Sequence, residues 1–189
     1  VIGQTTICEG DSVTLRCINV YDAYAWSNGG TARSITVHSS GTYFVDVVSP
    51  NGCTGSSPPV DIEVVPRPKP VIQGPATVCE NAIETYTASQ AASNDCEWTV
   101  TGGAIINGAG TFSIEVLWLA AGSGSVRLRE TNTAGCSAEV ILDPVTVLPA
   151  PVVSLVEYGD TLYAGEWSSY QWYRNSIEIN GETGPEHVM

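Results

Sequence analysis

Six cysteines carry most of the chemistry open to this 189-residue sequence: Cys8, Cys17, Cys53, Cys79, Cys96 and Cys136. No two of them form a CxxC, and His38 and His187 are the only imidazoles, so the spacing disfavours a zinc site. Thiols placed like this react with one another, which makes all six disulfide candidates in an oxidising compartment. His38 stands beside Ser39 and Ser40 at a strand end, and a solvated turn residue is the plainer reading than a general base. The sequence has no GxSxG elbow, and its Gly-rich run TGGAIINGAG (101–110) reads as a turn between strands rather than a phosphate cradle. Asp11, Asp22, Asp46, Asp61 and Glu63 could meet at a module junction and hold Ca²⁺, although without the DxDxDG spacing of a calcium loop. These residues predict no enzyme and no cofactor.

Composition narrows the partners. The formal charge is −13 and Lys69 is the only lysine, a surface that repels phosphate backbones and excludes nucleic acid. The sequence contains no apolar run long enough to span a bilayer as a helix, so membrane insertion is not expected. VIGQTTICEG lacks the basic and apolar regions of a signal peptide, and the chain reads as a piece of a longer one. Nineteen Gly and 11 Pro with one Met and two Phe suit short strands and frequent turns.

The elements that must position these residues follow from alternation. Val126 and Leu128 alternate with Arg127 and Arg129, the period of a half-buried strand. TNTAG (131–135) turns the chain, and Cys136, Ala138 and Val140 begin a strand that ends in Val145 and Val147. Earlier, Leu15 and Cys17, Tyr24 and Trp26, Ile35 and Val37, Tyr43 to Val47, and Val60 to Val64 give short alternating runs punctuated by turn residues. That is the pattern of an immunoglobulin-like sandwich. PRPKP (66–70) cannot join a ladder and reads as a stiff linker. The pattern then repeats: TVCENAIETY (77–86) matches TICEGDSVTL (6–15), Trp98 matches Trp26, and NTAGC (132–136) matches SPNGC (49–53). Phe112, Ile114, Val116 and Trp118 supply a further strand face. After PAP (149–151), TLYA and YQWYRN begin a third unit with Trp172 at the tryptophan position. The expected architecture is all-β: tandem immunoglobulin-like β-sandwiches joined by short Pro-rich linkers, with modules at 1–65 and 71–148 and an incomplete one, its C-terminal strands missing, at 152–189.

Taken together, CEGDSVTL, YAWSNGG, SITVHSSGTYFVDVVSPNGC and CENAIETY…WTVTGG…NTAGC resemble the Ig-like and PKD-like modules repeated in very large secreted or cell-surface proteins of gram-negative bacteria, including gliding adhesins and type IX secretion cargo. The resemblance covers two modules and the start of the third. It implies β-sandwiches, an extracellular or cell-surface location and a non-catalytic role. It also implies the pairs Cys8–Cys53 and Cys79–Cys136, with Cys17 and Cys96 in excess of two cysteines per module. Strand order favours another pairing, Cys17–Cys53 and Cys96–Cys136, because the turns holding Cys8 and Cys53 should lie at opposite ends of a sandwich, beyond the reach of a disulfide. Cys8 and Cys79 are then left near module junctions. Two functions fit: a structural or adhesive stalk segment whose partners are neighbouring modules, and an accessory module of a secreted enzyme that binds polysaccharide or protein. Trp26, Trp98 and Trp172 recur at one strand position and read as core, whereas Trp167 falls outside the repeat and is the candidate for partner contact.

Overall fold

The structure is a computed structural model that describes residues 5–89 and 94–189. Among these the chain is built from strands and turns, and no helix is long and apolar enough to cross a membrane. Residues up to Leu148 form one compact unit that contains two sandwiches with separate cores, and Pro149 onward forms a second unit.

The first sandwich has eight strands: β1 (Thr6–Cys8), β2 (Val13–Arg16), β3 (Ala23–Trp26), β4 (Ser34–Val37), β5 (Gly41–Tyr43), β6 (Val45–Val48), β7 (Thr54–Ser56) and β8 (Val60–Val65). β5 and β6 are one run interrupted at Phe44, and β7 and β8 one run interrupted at Ser57-Pro58-Pro59. The prolines cannot donate to the ladder, so pairing changes there from β7 against β6 to β8 against β5. β1 runs parallel to β8, β3 closes the other side on β6, and β2–β4 forms the facing layer. Leu15, Trp26, Ile35, Val37, Val45 and Ile62 alternate inward from these strands to make the core.

The second sandwich repeats the plan on longer strands: β9 (Ile72–Gln73), β10 (Thr77–Cys79), β11 (Ile83–Ala88), β12 (Asp95–Thr101), β13 (Gly103–Asn107), β14 (Ser113–Trp118), β15 (Gly122–Thr131) and β16 (Ser137–Leu148). Its layers are β10-β16-β15-β12 and β13-β14-β11-β9. The β15–β16 register slips between Gly124 and Val126, opposite Pro144, as it does at the prolines of the first sandwich. Tyr86, Ile114, Val116, Trp118, Val126, Leu128 and Val145 are completely buried. Two expectations need correction. The Gly-rich stretch 101–110 is not one turn, because its centre forms β13 and half-buries Ile105 against β14. Phe112 does not join the face of Ile114, Val116 and Trp118: it precedes β14 and is exposed.

Residues 149–189 form a small unit with two sheets, β17 (Val156–Tyr158), β18 (Thr161–Tyr163) and β21 (Glu186–Val188) in one, β19 (Tyr173–Arg174) and β20 (Ile177–Glu178) in the other. Trp172 is buried there with its ring 5.4 Å from that of His187. Leu155, Val156, Tyr173, Ile177 and Val188 remain exposed. All three repeated tryptophans solve the same problem, donating the indole N–H to a backbone carbonyl: Trp26 to Ala32 at 2.8 Å, Trp98 to Thr111 at 2.8 Å and Trp172 to Gly184 at 2.9 Å.

Candidate functional site: the junction between the two sandwiches

The parallel pairing of β1 with β8 places Cys8 opposite Val65, where the first sandwich ends and the linker begins. On the second sandwich the β15–β16 hairpin turns at residues 132–136. The turn is held by Gly135 N–H donating to Asn132 O (2.9 Å), and by Asn132 Oδ1 accepting from Ala134 and Cys136 N–H (3.1 and 2.9 Å). This side-chain acceptor closes the turn and fixes where Cys136 points. Cys136 is 1% exposed, and its sulfur is bonded to that of Cys8 across the junction, Cα–Cα 5.5 Å.

Arg67, between Pro66 and Pro68, is the second fastener. Its Nε donates to Glu9 O (2.9 Å) and its Nη2 to Asp11 Oδ1 (2.8 Å), both in the first sandwich, while Nη1 donates to Ser137 O (3.0 Å) in the second. The planar fork suits three simultaneous acceptors. Asn132 Nδ2 completes the contact by donating to Pro66 O at 3.1 Å. With three prolines restricting its backbone, the linker cannot swing freely even before the disulfide forms.

The candidate pairings therefore change. Cys96–Cys136 and Cys79–Cys136 are not formed because Cys136 is spent on Cys8, and Cys8–Cys53 fails for the same reason. Cys96 alternates inward with Trp98 along β12 and joins the core; burial pushes its thiol pKa up, and Glu130 and Asp95 add to the rise. Cys17–Cys53 is not formed either: Cys17 packs against the first core after β2, while Cys53 is exposed in the turn after β6. Cys79 is exposed at the end of β10. Strand-order reasoning treated each sandwich alone, and the bond joins two.

The acidic group is corrected as well. Among the described residues no three His, Cys, Asp or Glu side chains are placed to hold a metal ion together, and Asp11, Asp22, Asp46, Asp61 and Glu63 are not assembled as a Ca²⁺ site. Asp11 binds Arg67, and Asp61 accepts from Thr42 Oγ1 at 2.6 Å on the sheet surface. Trp167 is 41% exposed, but its indole N–H is used on Ala164 O at 2.7 Å. Sequence reasoning missed Arg67. The available signal was a lone arginine set between prolines in a linker.

A second concavity lies in the first sandwich, a cleft of about 1190 Å³ lined by Arg16, Tyr21, Trp26, Arg33, Val47 and Asp61 among others.

Residues 65–143 match the PKD-like domain family. No curated protein matches the chain. Among solved structures it is similar to fibronectin(III)-like modules of CbhA from Clostridium thermocellum, with 13% identity over 76% of this chain and 89% of that one and a TM-score of 0.40. It is also similar to a marsupial T cell receptor, with 14% identity over 93% and 84% and a TM-score of 0.44. A third likeness is SGBP-B of the Bacteroides ovatus mixed-linkage glucan utilization locus, solved with a mixed-linkage heptasaccharide, with 14% identity over 98% and 56% and a TM-score of 0.26.

Proposed function

We propose that this chain is a non-catalytic stalk segment, structural or adhesive, of a large extracellular or cell-surface bacterial protein, and that its immediate partners are neighbouring modules. The observation that carries the reading is the junction: a disulfide between sandwiches and an arginine fork across the linker. An enzyme's accessory module gains from freedom to search for substrate. A stalk gains from fixed geometry between successive modules, and both fasteners spend interaction energy on that geometry. The disulfide also fits an oxidising, extracellular setting.

The cleft of the first sandwich favours a second reading, an accessory module that binds polysaccharide. Tyr21 on its wall offers a half-buried aromatic ring beside the cations Arg16 and Arg33, above the buried Trp26. Affinity electrophoresis of the whole chain through gels containing β-glucan, xylan or chitin separates the two. The stalk reading expects unchanged mobility. Retardation that disappears in Tyr21→Ala or Trp167→Ala would overturn it in favour of the binding module.

A further inference from the structure

The two sandwiches carry the same pair of cysteine positions, and only one of each pair is used. Cys8 lies opposite Val65 in the parallel β1–β8 pairing, and Cys79 lies opposite Leu148 in the parallel β10–β16 pairing. The following amides make the same bond in both, Glu9 N–H to Val65 O and Glu80 N–H to Leu148 O, each 2.8 Å. At the opposite pole Cys53 matches Cys136. Ser49 N–H donates to Cys53 O (2.8 Å) as Asn132 N–H does to Cys136 O (2.9 Å), and Gly52 and Gly135 close the two turns alike. The Cys53 amide even finds the same kind of side-chain acceptor, Ser49 Oγ at 3.2 Å, as the Cys136 amide finds in Asn132 Oδ1. Each sandwich thus has a strand-end cysteine at the pole its linker leaves and a hairpin cysteine at the other, separated by strands of 12 residues in the second sandwich, about 40 Å.

At the one junction where two such poles meet, strand-end Cys8 and hairpin Cys136 are bonded. Cys79 and Cys53 are the same two groups, both exposed and both free. Residues 149–189 contain no cysteine, so nothing following Leu148 in this sequence can complete the Cys79 half. We propose that Cys79 and Cys53 are half-junctions that each take one further repeat unit of this same type, Cys79 bonding the hairpin cysteine of a unit placed after it and Cys53 the strand-end cysteine of a unit placed before it. Repeats of this kind are then locked head to tail by one disulfide per junction, always strand end to hairpin. Formation of each bond removes two thiol protons and two electrons, which pass to a disulfide oxidant such as glutathione disulfide, released as two glutathione thiols. The buried Cys96 takes no part, its thiol enclosed in the core. This deepens the stalk reading by naming the covalent partner.

The test appends residues 1–148 and a copy of the 66–70 linker to the N-terminus of the complete 189-residue chain, which sets Cys79 of the first copy before Cys53 of the second. The tandem chain is equilibrated in a glutathione redox buffer, isolated as a monomer, alkylated without reduction and mapped as peptides. The expected result is a Cys79–Cys53 linkage in addition to the Cys8–Cys136 bond of each copy. It should vanish with Cys53→Ser in the second copy and persist with Cys53→Ser in the first. Alkylation of Cys79 and the second Cys53, in molecules whose two Cys8–Cys136 bonds have formed, would overturn the proposal, since those bonds certify folding and oxidation. That outcome would leave the stalk reading standing, because the observed junction does not depend on it.

Discussion

The two sandwiches follow one topology with unequal means. The second closes two four-stranded layers over Trp118, Tyr86, Ile114, Val116 and Leu128, all completely buried. The first faces its larger layer with β2 and β4 alone, and its core of shorter strands opens into the cleft beside Trp26. Small cores bury less apolar surface per ordered residue and are correspondingly marginal. The difference teaches where the junction's stabilisation goes: the disulfide and Arg67 hold the end of the weaker sandwich against the hairpin of the stronger. A repeat in such an array need not be self-sufficient if its neighbour is.

The largest break in this comparison is truncation of the two cores. Trp118→Ala should cost the second sandwich about 5 kcal/mol, and Trp26→Ala should cost the first about 3 kcal/mol, because a site already bordered by a cleft loses fewer contacts. Thermal unfolding of each variant, followed by hydrogen exchange at Leu15 and Leu128, assigns the loss to its sandwich. Equal costs would mean that the first core is as tightly packed as the second. Arg67→Met sharpens the comparison at lower cost. It removes three donated hydrogen bonds, but the Arg67 and Asp11 side chains are 38% and 50% exposed, so solvent screening discounts the ion pair and about 1 kcal/mol is expected. The effect should fall on protection of the first sandwich, with the second unchanged.

The last effect, absent near neutral pH, is a tilt at high pH confined to the second sandwich. Burial pushes Tyr86 from 10.0 up to about 12, and its hydroxyl donates to Pro75 O at 2.9 Å, a bond the phenolate cannot make. A folded-state value above the unfolded one favours the protonated form on folding. The contribution is therefore fully present below about pH 10 and is lost as the pH rises toward 12. Denaturant midpoints of the second sandwich between pH 9 and 11 should fall, and Tyr86→Phe should flatten the slope. An unchanged slope in Tyr86→Phe would assign the effect elsewhere.

Much of the fold was legible because alternation is local. Val126 and Leu128 read as inward from spacing alone, and both are completely buried. The failures came where one residue's partner lay outside the window being read. Ile105 sits among glycines that look like a turn, yet it pairs with Val116 across β14. The junction was harder still, since Cys8 and Cys136 lie 128 residues apart in different sandwiches and a pairing argument confined to one sandwich cannot reach it. The repeat itself held the clue: matching Cys8 with Cys79 and Cys53 with Cys136 sorts four cysteines into two kinds, each at its own pole.

The central claim is that the two sandwiches form one covalently locked mechanical unit, and single-molecule extension of the chain by its ends tests it most directly. With Cys8–Cys136 intact, force passes through the bond and the 128-residue span between those cysteines cannot lengthen. Reduction should release that span and add about 450 Å of contour length, at roughly 3.5 Å per residue. Equal contour lengths with and without reductant would contradict the account.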